Sequence, residues 1–109
     1  MYDHIMRILK TNTNLSERSL EELKQYCRIL FIDDDTDFKT IDIIKRAGWT
    51  HTSHIYDIDN LDADCIRLAH IICLDIQGVG KALSFQKEGL GLLSALKERY
   101  PHTAIIAYS

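Results

Sequence analysis

The sequence predicts an α/β fold built on a mostly parallel sheet, and three observations predict it. From Arg28 onward, short apolar or β-branched runs alternate with stretches of helical periodicity, in the order β-α-β-α-β-α-β. Ile29 to Ile32 and Ile71 to Leu74 are continuously apolar rather than alternating, as strands covered on both faces require. Both runs end on acids: Asp33, Asp34 and Asp35 after the first, Asp75 after the second.

Each element has its own signal. Tyr2, Ile5, Met6 and Leu9 stand at helical spacing, and Thr11 to Asn14 break that pattern with turn-prone residues. Ser16 or Ser19 can cap a second helix presenting Leu20, Leu23 and Cys27 on one side, and Ser19 with Glu22 fits a capping box. Residues 1–26 therefore read as a helical extension, and residues 27–109 as the α/β domain. Within that domain, Thr36 or Asp37 can cap a helix carrying Phe38, Ile41, Ile44 and Ala47, stopped by Gly48. Thr50 to Ile58 is rich in β-branched residues and reads as a second, more polar strand. Asn60 to Ala69 reads as a short helix with Leu61, Cys65 and Leu68 inward. Leu90, Leu93, Leu96 and Tyr100 mark a helix ended by Pro101, and Thr103 to Tyr108 is the last strand. The segment 76–88 is the longest irregular stretch.

Size and composition narrow the function classes. The chain has 109 residues, enough for one domain, and 46% of them are hydrophobic, enough for a core. A net charge of -3 without a basic patch argues against nucleic acid as the main partner. The longest apolar runs are about five residues, far short of the ~20 of a membrane-spanning helix. No charged-then-apolar leader opens the chain, so no secretory signal is expected. Cys27, Cys65 and Cys73 are odd in number and widely spaced, which reads as buried free thiols in a reducing cytoplasm.

The chemistry gathers at the strand ends. In an open parallel sheet, ligands bind beyond the carboxyl ends of the strands. Neighbouring strands lie ~5 Å apart, so the carboxylates after the first strand and Asp75 can converge. Like charges ~4 Å apart repel by about 4 kcal/mol at an effective dielectric of 20, so several such pairs call for a cation. Mg²⁺ is the natural one, because it takes hard oxygen ligands and keeps waters. A carboxylate not fully committed to metal can act as a nucleophile toward a phosphoryl group.

With Ile29-Leu-Phe-Ile-Asp-Asp-Asp35, Ile71-Ile-Cys-Leu-Asp75, Gly89-Leu-Gly-Leu-Leu93 and Ala104-Ile-Ile-Ala-Tyr-Ser109, residues 28–109 resemble the receiver domain of bacterial two-component response regulators. The resemblance implies a flavodoxin-like parallel sheet of order 2-1-3-4-5. It implies that Asp33 and Asp34 are the acidic pair, with Asp34 the direct Mg²⁺ ligand, and that Asp75 is the phosphoacceptor. Gln77 would offer a backbone carbonyl to the metal, and the Ser109 hydroxyl would meet the phosphoryl oxygens. Such a protein takes a phosphoryl group from a histidine kinase or phosphotransfer partner and changes its binding surface. It phosphorylates itself rather than turning over a substrate.

The sequence departs from that family in three places. Ile76-Gln-Gly-Val-Gly80 replaces the usual Met-Pro-like turn, and the stretch from Asp75 to Gly89 is longer, as for a lid or a partner-specific surface. The fold is expected to be incomplete at the C-terminus, without the fifth strand and its lysine. The last strand would then be an open edge, and self-association through it is expected, unless the N-terminal helices cover the exposed apolar surface. The alternative reading is a pseudo-receiver, the same fold used as a phosphorylation-independent interaction module. Asp33-x-Asp35 is also similar to haloacid-dehalogenase-type phosphatases, the enzyme alternative, although those need more chain and a later lysine.

Other motifs read as structural. Asp33, Asp35 and Asp37 have the spacing of a calcium loop, but Phe38 and Ile44 replace its glycine and closing glutamate. Gly78-Val-Gly80-Lys81 lacks the first glycine and the Ser/Thr of a P-loop. His51 and His54 read as a polar strand face, Trp49 as packing at the end of the sheet opposite the acids, and Lys81 and Lys87 as solvated loop charges.

Overall fold

The computed structural model describes residues 17–81, 83 and 89–109. Four parallel strands, β1 (Ile29–Ile32), β2 (Thr52–Ile55), β3 (Ile71–Asp75) and β4 (Ala104–Tyr108), form one sheet in the order β2-β1-β3-β4. Helices α1 (Glu17–Tyr26), α2 (Thr40–Arg46), α3 (Asp64–Arg67) and α4 (Gly89–Arg99) flank it. This is the predicted α/β architecture, and it is compatible with a flavodoxin-like fold. The helix expected over residues 2–10 and the Ser16 cap lie outside the described residues. Among the described residues, no helix is long and apolar enough to cross a membrane.

The two-residue period of the strands divides the core in two. Ile29, Phe31, Ile71, Cys73 and Ile106 point to one face and pack with Leu23 of α1, Cys27, Ile44 of α2 and Trp49. Leu30, Ile32, Ile72 and Leu74 point to the other and pack with Ile66 of α3, Val79, and Leu92 and Leu96 of α4. α1 is thus bound into the first core through Leu20 and Leu23, and it covers one face of the sheet. β4 is an edge of the sheet.

Several local expectations are corrected. Ser19 lies inside α1, not ahead of it, so it is not the N-cap position of that helix. The helix after β1 begins at Thr40 with Lys39 as its N-cap, not at Thr36 or Asp37. The cause is a pair of side-chain turns: the Asp35 amide donates to Asp33 Oδ1 and the Asp37 amide to Asp35 Oδ1, each at 2.9 Å. These acids hold the loop, and the helix is delayed. α2 ends where expected, at Gly48, whose φ of +105° suits a residue without Cβ. β2 is shorter than Thr50 to Ile58.

The segment 60–69 yields only the single turn α3. An initial turn, with the Ala63 amide on the Asn60 carbonyl and the Asp62 amide on Asn60 Oδ1, rotates the helix that follows. Ile66 and Ala69 consequently face the core, whereas Cys65 and Leu68 are exposed. The expectation of three buried thiols therefore fails at Cys65. Burial pushes the Cys27 thiol up to about 11 and the Cys73 thiol up to about 12, which makes both inert near neutral pH.

α4 takes its rotational phase from its first residue. A Cβ on Gly89 would lie 2.4 Å from the Ile76 backbone, so the two segments meet backbone to backbone. That contact turns Gly89, Leu92 and Leu96 inward and leaves Leu90 half exposed. At the far end of α4, the Tyr100 hydroxyl donates to the Leu61 carbonyl and Arg99 pairs with Asp62.

Candidate functional site

The parallel register assembles the acids. Ile32 stands opposite Leu74 across β1 and β3, so Asp33 and Asp75 emerge side by side, and Asp75 stands opposite Tyr108 across β3 and β4. The Asp33 amide continues the ladder by donating to the Ile55 carbonyl at 3.0 Å. Asp33, Asp34 and Asp75 each offer a carboxylate oxygen, all within 4.8 Å of one another. Asp33 is buried, Asp75 half-buried and Asp34 exposed, so the cluster opens to solvent on its Asp34 side.

Hydrogen bonds relieve part of the crowding of charge. Asp33 Oδ1 accepts from the Asp35 amide and Oδ2 from the Tyr108 hydroxyl, at 2.9 and 2.7 Å. Asp75 Oδ1 accepts from the Gln77 amide at 3.0 Å. Partial burial still pushes the Asp75 carboxyl above its ordinary range. The Gln77 amide opposes that push, and the neighbouring Asp33 and Asp34 charges reinforce it. Burial, and donation to Asp33, raise the Tyr108 hydroxyl far above a free phenol, so it remains a donor.

The loop after β3 is built around Asp34. Gly78 has a φ of +92°, and a Cβ there would lie 2.2 Å from Asp34 Oδ2. Only a glycine lets the backbone come this close to the carboxylate. The loop is held by Val79, which is fully buried, and by Asp57, whose Oδ1 accepts from the amides of Ile58 and Gly80 at 2.8 and 2.7 Å. This glycine-lined cradle and an all-carboxylate donor set fit a hard divalent cation such as Mg²⁺, with Asp34 and Asp75 presented to it. Gly78→Ala is expected to displace the loop from Asp34, and any divalent cation held by these acids would then bind more weakly, by about tenfold or more, as when the surroundings of a ligand carboxylate are disturbed. Calorimetric titration of the variant checks this.

Asp33, Asp34 and Asp75 thus come together at one end of the sheet, with Gln77 beside them through its amide. Ser109 follows Tyr108 at this end, is exposed, and makes no hydrogen bond with the acids among the described residues. Sequence reasoning missed Tyr108 and His54. His54 is not merely part of a polar face: its Nε2 lies 2.7 Å from the Asp33 carbonyl oxygen, and its ring packs on Phe38. His51 sits at the other end of β2, where its carbonyl accepts from the Ile29 amide. The signal for Tyr108 was its place, one residue before Ser109 at the end of the strand next to Asp75. Lys81 is exposed, and Lys87 lies outside the described residues. No protein-family model, no curated protein and no solved structure matches the chain.

Proposed function

We propose that the chain is a receiver-like phosphoacceptor signalling domain of the cytoplasm. In this reading Asp75 accepts a phosphoryl group from a histidine kinase or phosphotransfer partner, and Mg²⁺ is held by Asp34 and Asp75. The observation that carries the reading is the convergence of Asp33, Asp34 and Asp75 within 4.8 Å at the carboxyl ends of adjacent parallel strands. Asp75 is the acceptor because it is half-buried yet reachable, and because the Gln77 amide fixes one of its oxygens. The carboxylate attacks phosphorus, an acyl phosphate forms, and the bond from phosphorus to the donor breaks. A bound Mg²⁺ would neutralise the carboxylates and the phosphoryl oxygens. Asp33 stays buried behind them and orients the acid end through its hydrogen bonds.

One observation favours the second reading, a phosphorylation-independent interaction module. Both Asp33 oxygens already have donors, so the acid end has partners of its own without a cation. A Mg²⁺ titration followed by amide NMR separates the two. Saturable shifts at Asp33 to Asp35, Asp75 and Gln77 are expected. A folded spectrum that does not respond would select the interaction module.

A further inference from the structure

At the amino end of the sheet, β1, β2 and α3 enclose a cleft of about 230 Å³. The parallel register builds it. Ile29 pairs with Thr52 across β1 and β2, so Arg28 and His51 stand side by side one residue earlier, on strands ~5 Å apart. By the two-residue period, Arg28 and Leu30 share a face with His51 and Ser53, the face on which α3 packs. α3 is a single turn and covers only part of it. Arg28, His51 and Ser53 give the cleft its polar lining, and Leu30, Cys65 and Ala69 its apolar lining.

The backbone that carries the two bases is fixed. The Arg28 amide donates to His70 Nδ1 at 2.9 Å, and the Arg28 carbonyl accepts from the His70 and Ile71 amides at 2.9 and 3.2 Å. The His51 carbonyl accepts from the Ile29 amide at 3.1 Å, and the Thr52 hydroxyl closes the turn that holds His51 by donating to the Trp49 carbonyl at 2.8 Å. The side chains themselves are uncommitted: among the described residues, neither Arg28 nor His51 makes an ion pair. Asp64, the acid next to Cys65, is already paired with Arg67 at 2.6 Å. The acid end of the sheet begins five residues along from Arg28, roughly 16 Å away. That exceeds the ~10 Å over which exposed charges act at 0.1 M salt.

We propose that this cleft is a binding site for a small organic carboxylate, with its anionic head on the Arg28 guanidinium and His51, and its short apolar part on Leu30 and Ala69 beside Cys65. The planar fork of an arginine matches a carboxylate with two parallel hydrogen bonds. The His51 ring N–H and the Ser53 hydroxyl are further donors. A volume below the ~300 Å³ at which pockets for drug-sized ligands begin sets a small ligand. The site uses none of Asp33, Asp34 and Asp75, so it stands or falls separately from the phosphoacceptor reading.

Amide NMR titrations of the full chain with butyrate, with its uncharged isostere butyramide and with inorganic phosphate are the test. Saturable shifts at Arg28, His51, Ser53 and Cys65 are expected with butyrate. Affinity is expected to fall about tenfold or more for butyramide, and for butyrate with Arg28→Gln, as when a hydrogen bond to a charged group is lost. That variant removes the charge and leaves the backbone bonds of Arg28 in place. Butyrate should also slow alkylation by iodoacetamide, because Cys65 is the exposed thiol and Cys27 and Cys73 are buried. A folded spectrum that butyrate does not move would overturn the proposal, and so would equal affinity for butyrate and butyramide. Phosphate bound as tightly as butyrate would overturn the choice of a carboxylate. Should Arg28→Gln not fold, the comparison of butyrate with butyramide in wild type decides.

Discussion

Asp75→Asn is expected to abolish labelling of the chain by a small phosphodonor. The substitution is nearly isosteric, and the Asn side-chain oxygen can still accept from the Gln77 amide, as Asp75 Oδ1 does at 3.0 Å. What disappears is the anionic oxygen that the proposed reading makes the nucleophile. Loss of labelling would not reflect unfolding, because the native environment disfavours the Asp75 charge. Partial burial is the first cause and the Asp33 and Asp34 charges add to it, so the carboxyl is raised above its ordinary 3.8. The folded chain therefore binds this proton more tightly than the unfolded chain. That contribution to stability is complete below the ordinary value and is lost as the pH rises through the raised one. The variant lacks this contribution, so its stability changes less over that interval. Mass spectrometry after phosphodonor treatment, with urea unfolding at acid and neutral pH, checks both parts. Labelling that persists in the variant would move the acceptor to another residue.

Trp49→Ala is expected to cost about 3–5 kcal/mol of stability, as for other fully buried Trp or Phe side chains cut to Ala. The indole is completely buried, in the core shared by α1, α2 and the sheet, and the Lys24 ammonium lies 5.8 Å from the ring centroid. The backbone around it is equally engaged: the Trp49 amide donates to the Ile44 carbonyl, and the Trp49 carbonyl accepts the Thr52 hydroxyl at 2.8 Å. Removing the ring leaves a cavity where three elements meet. Domains of this kind have about 5–15 kcal/mol in all, so the loss is a large fraction of the total. The midpoint of urea unfolding should fall accordingly. Trp49 precedes β2, at the end of the sheet opposite the carboxylates, so the amide NMR shifts of Asp33, Asp34 and Asp75 in the folded variant should change little, as expected for well-separated sites. A variant as stable as wild type would mean that this core is far more plastic than its packing implies.

What could be read from the sequence, and what could not, follows from the range of the interactions involved. β1 and β3 were legible because a four- or five-residue apolar run ending on acids has few other interpretations. The grouping of Asp33, Asp34 and Asp75 followed once both strands were placed in one parallel sheet. The phase of α3 was not legible. Cys65 and Leu68 fit an inward stripe as well as Ile66 and Ala69 do, and the choice is made by the turn that Asn60 nucleates. The start of α2 was misplaced because Asp33 and Asp35 spend their side chains on loop amides instead of leaving Thr36 or Asp37 to cap the helix. Tyr108 and His54 reach Asp33 across strands far apart in sequence. Which side chain meets which is decided by register, and local pattern carries no record of it.

The meeting of Ile76 with Gly89 makes the intervening segment a hoop whose clasp is two backbones in contact. Its two ends are fixed independently of the number of residues between them. Doubling the length of such a hoop costs only about 0.6 kcal/mol of closure entropy. Val79 and the Asp57 clamp on Gly80 anchor the side that borders the carboxylates. Chain length can therefore drift beyond Gly80, by evolution or by grafting, while the acids stay where β1 and β3 put them. The placement of the three acids is thus decoupled from the length of chain that joins β3 to α4.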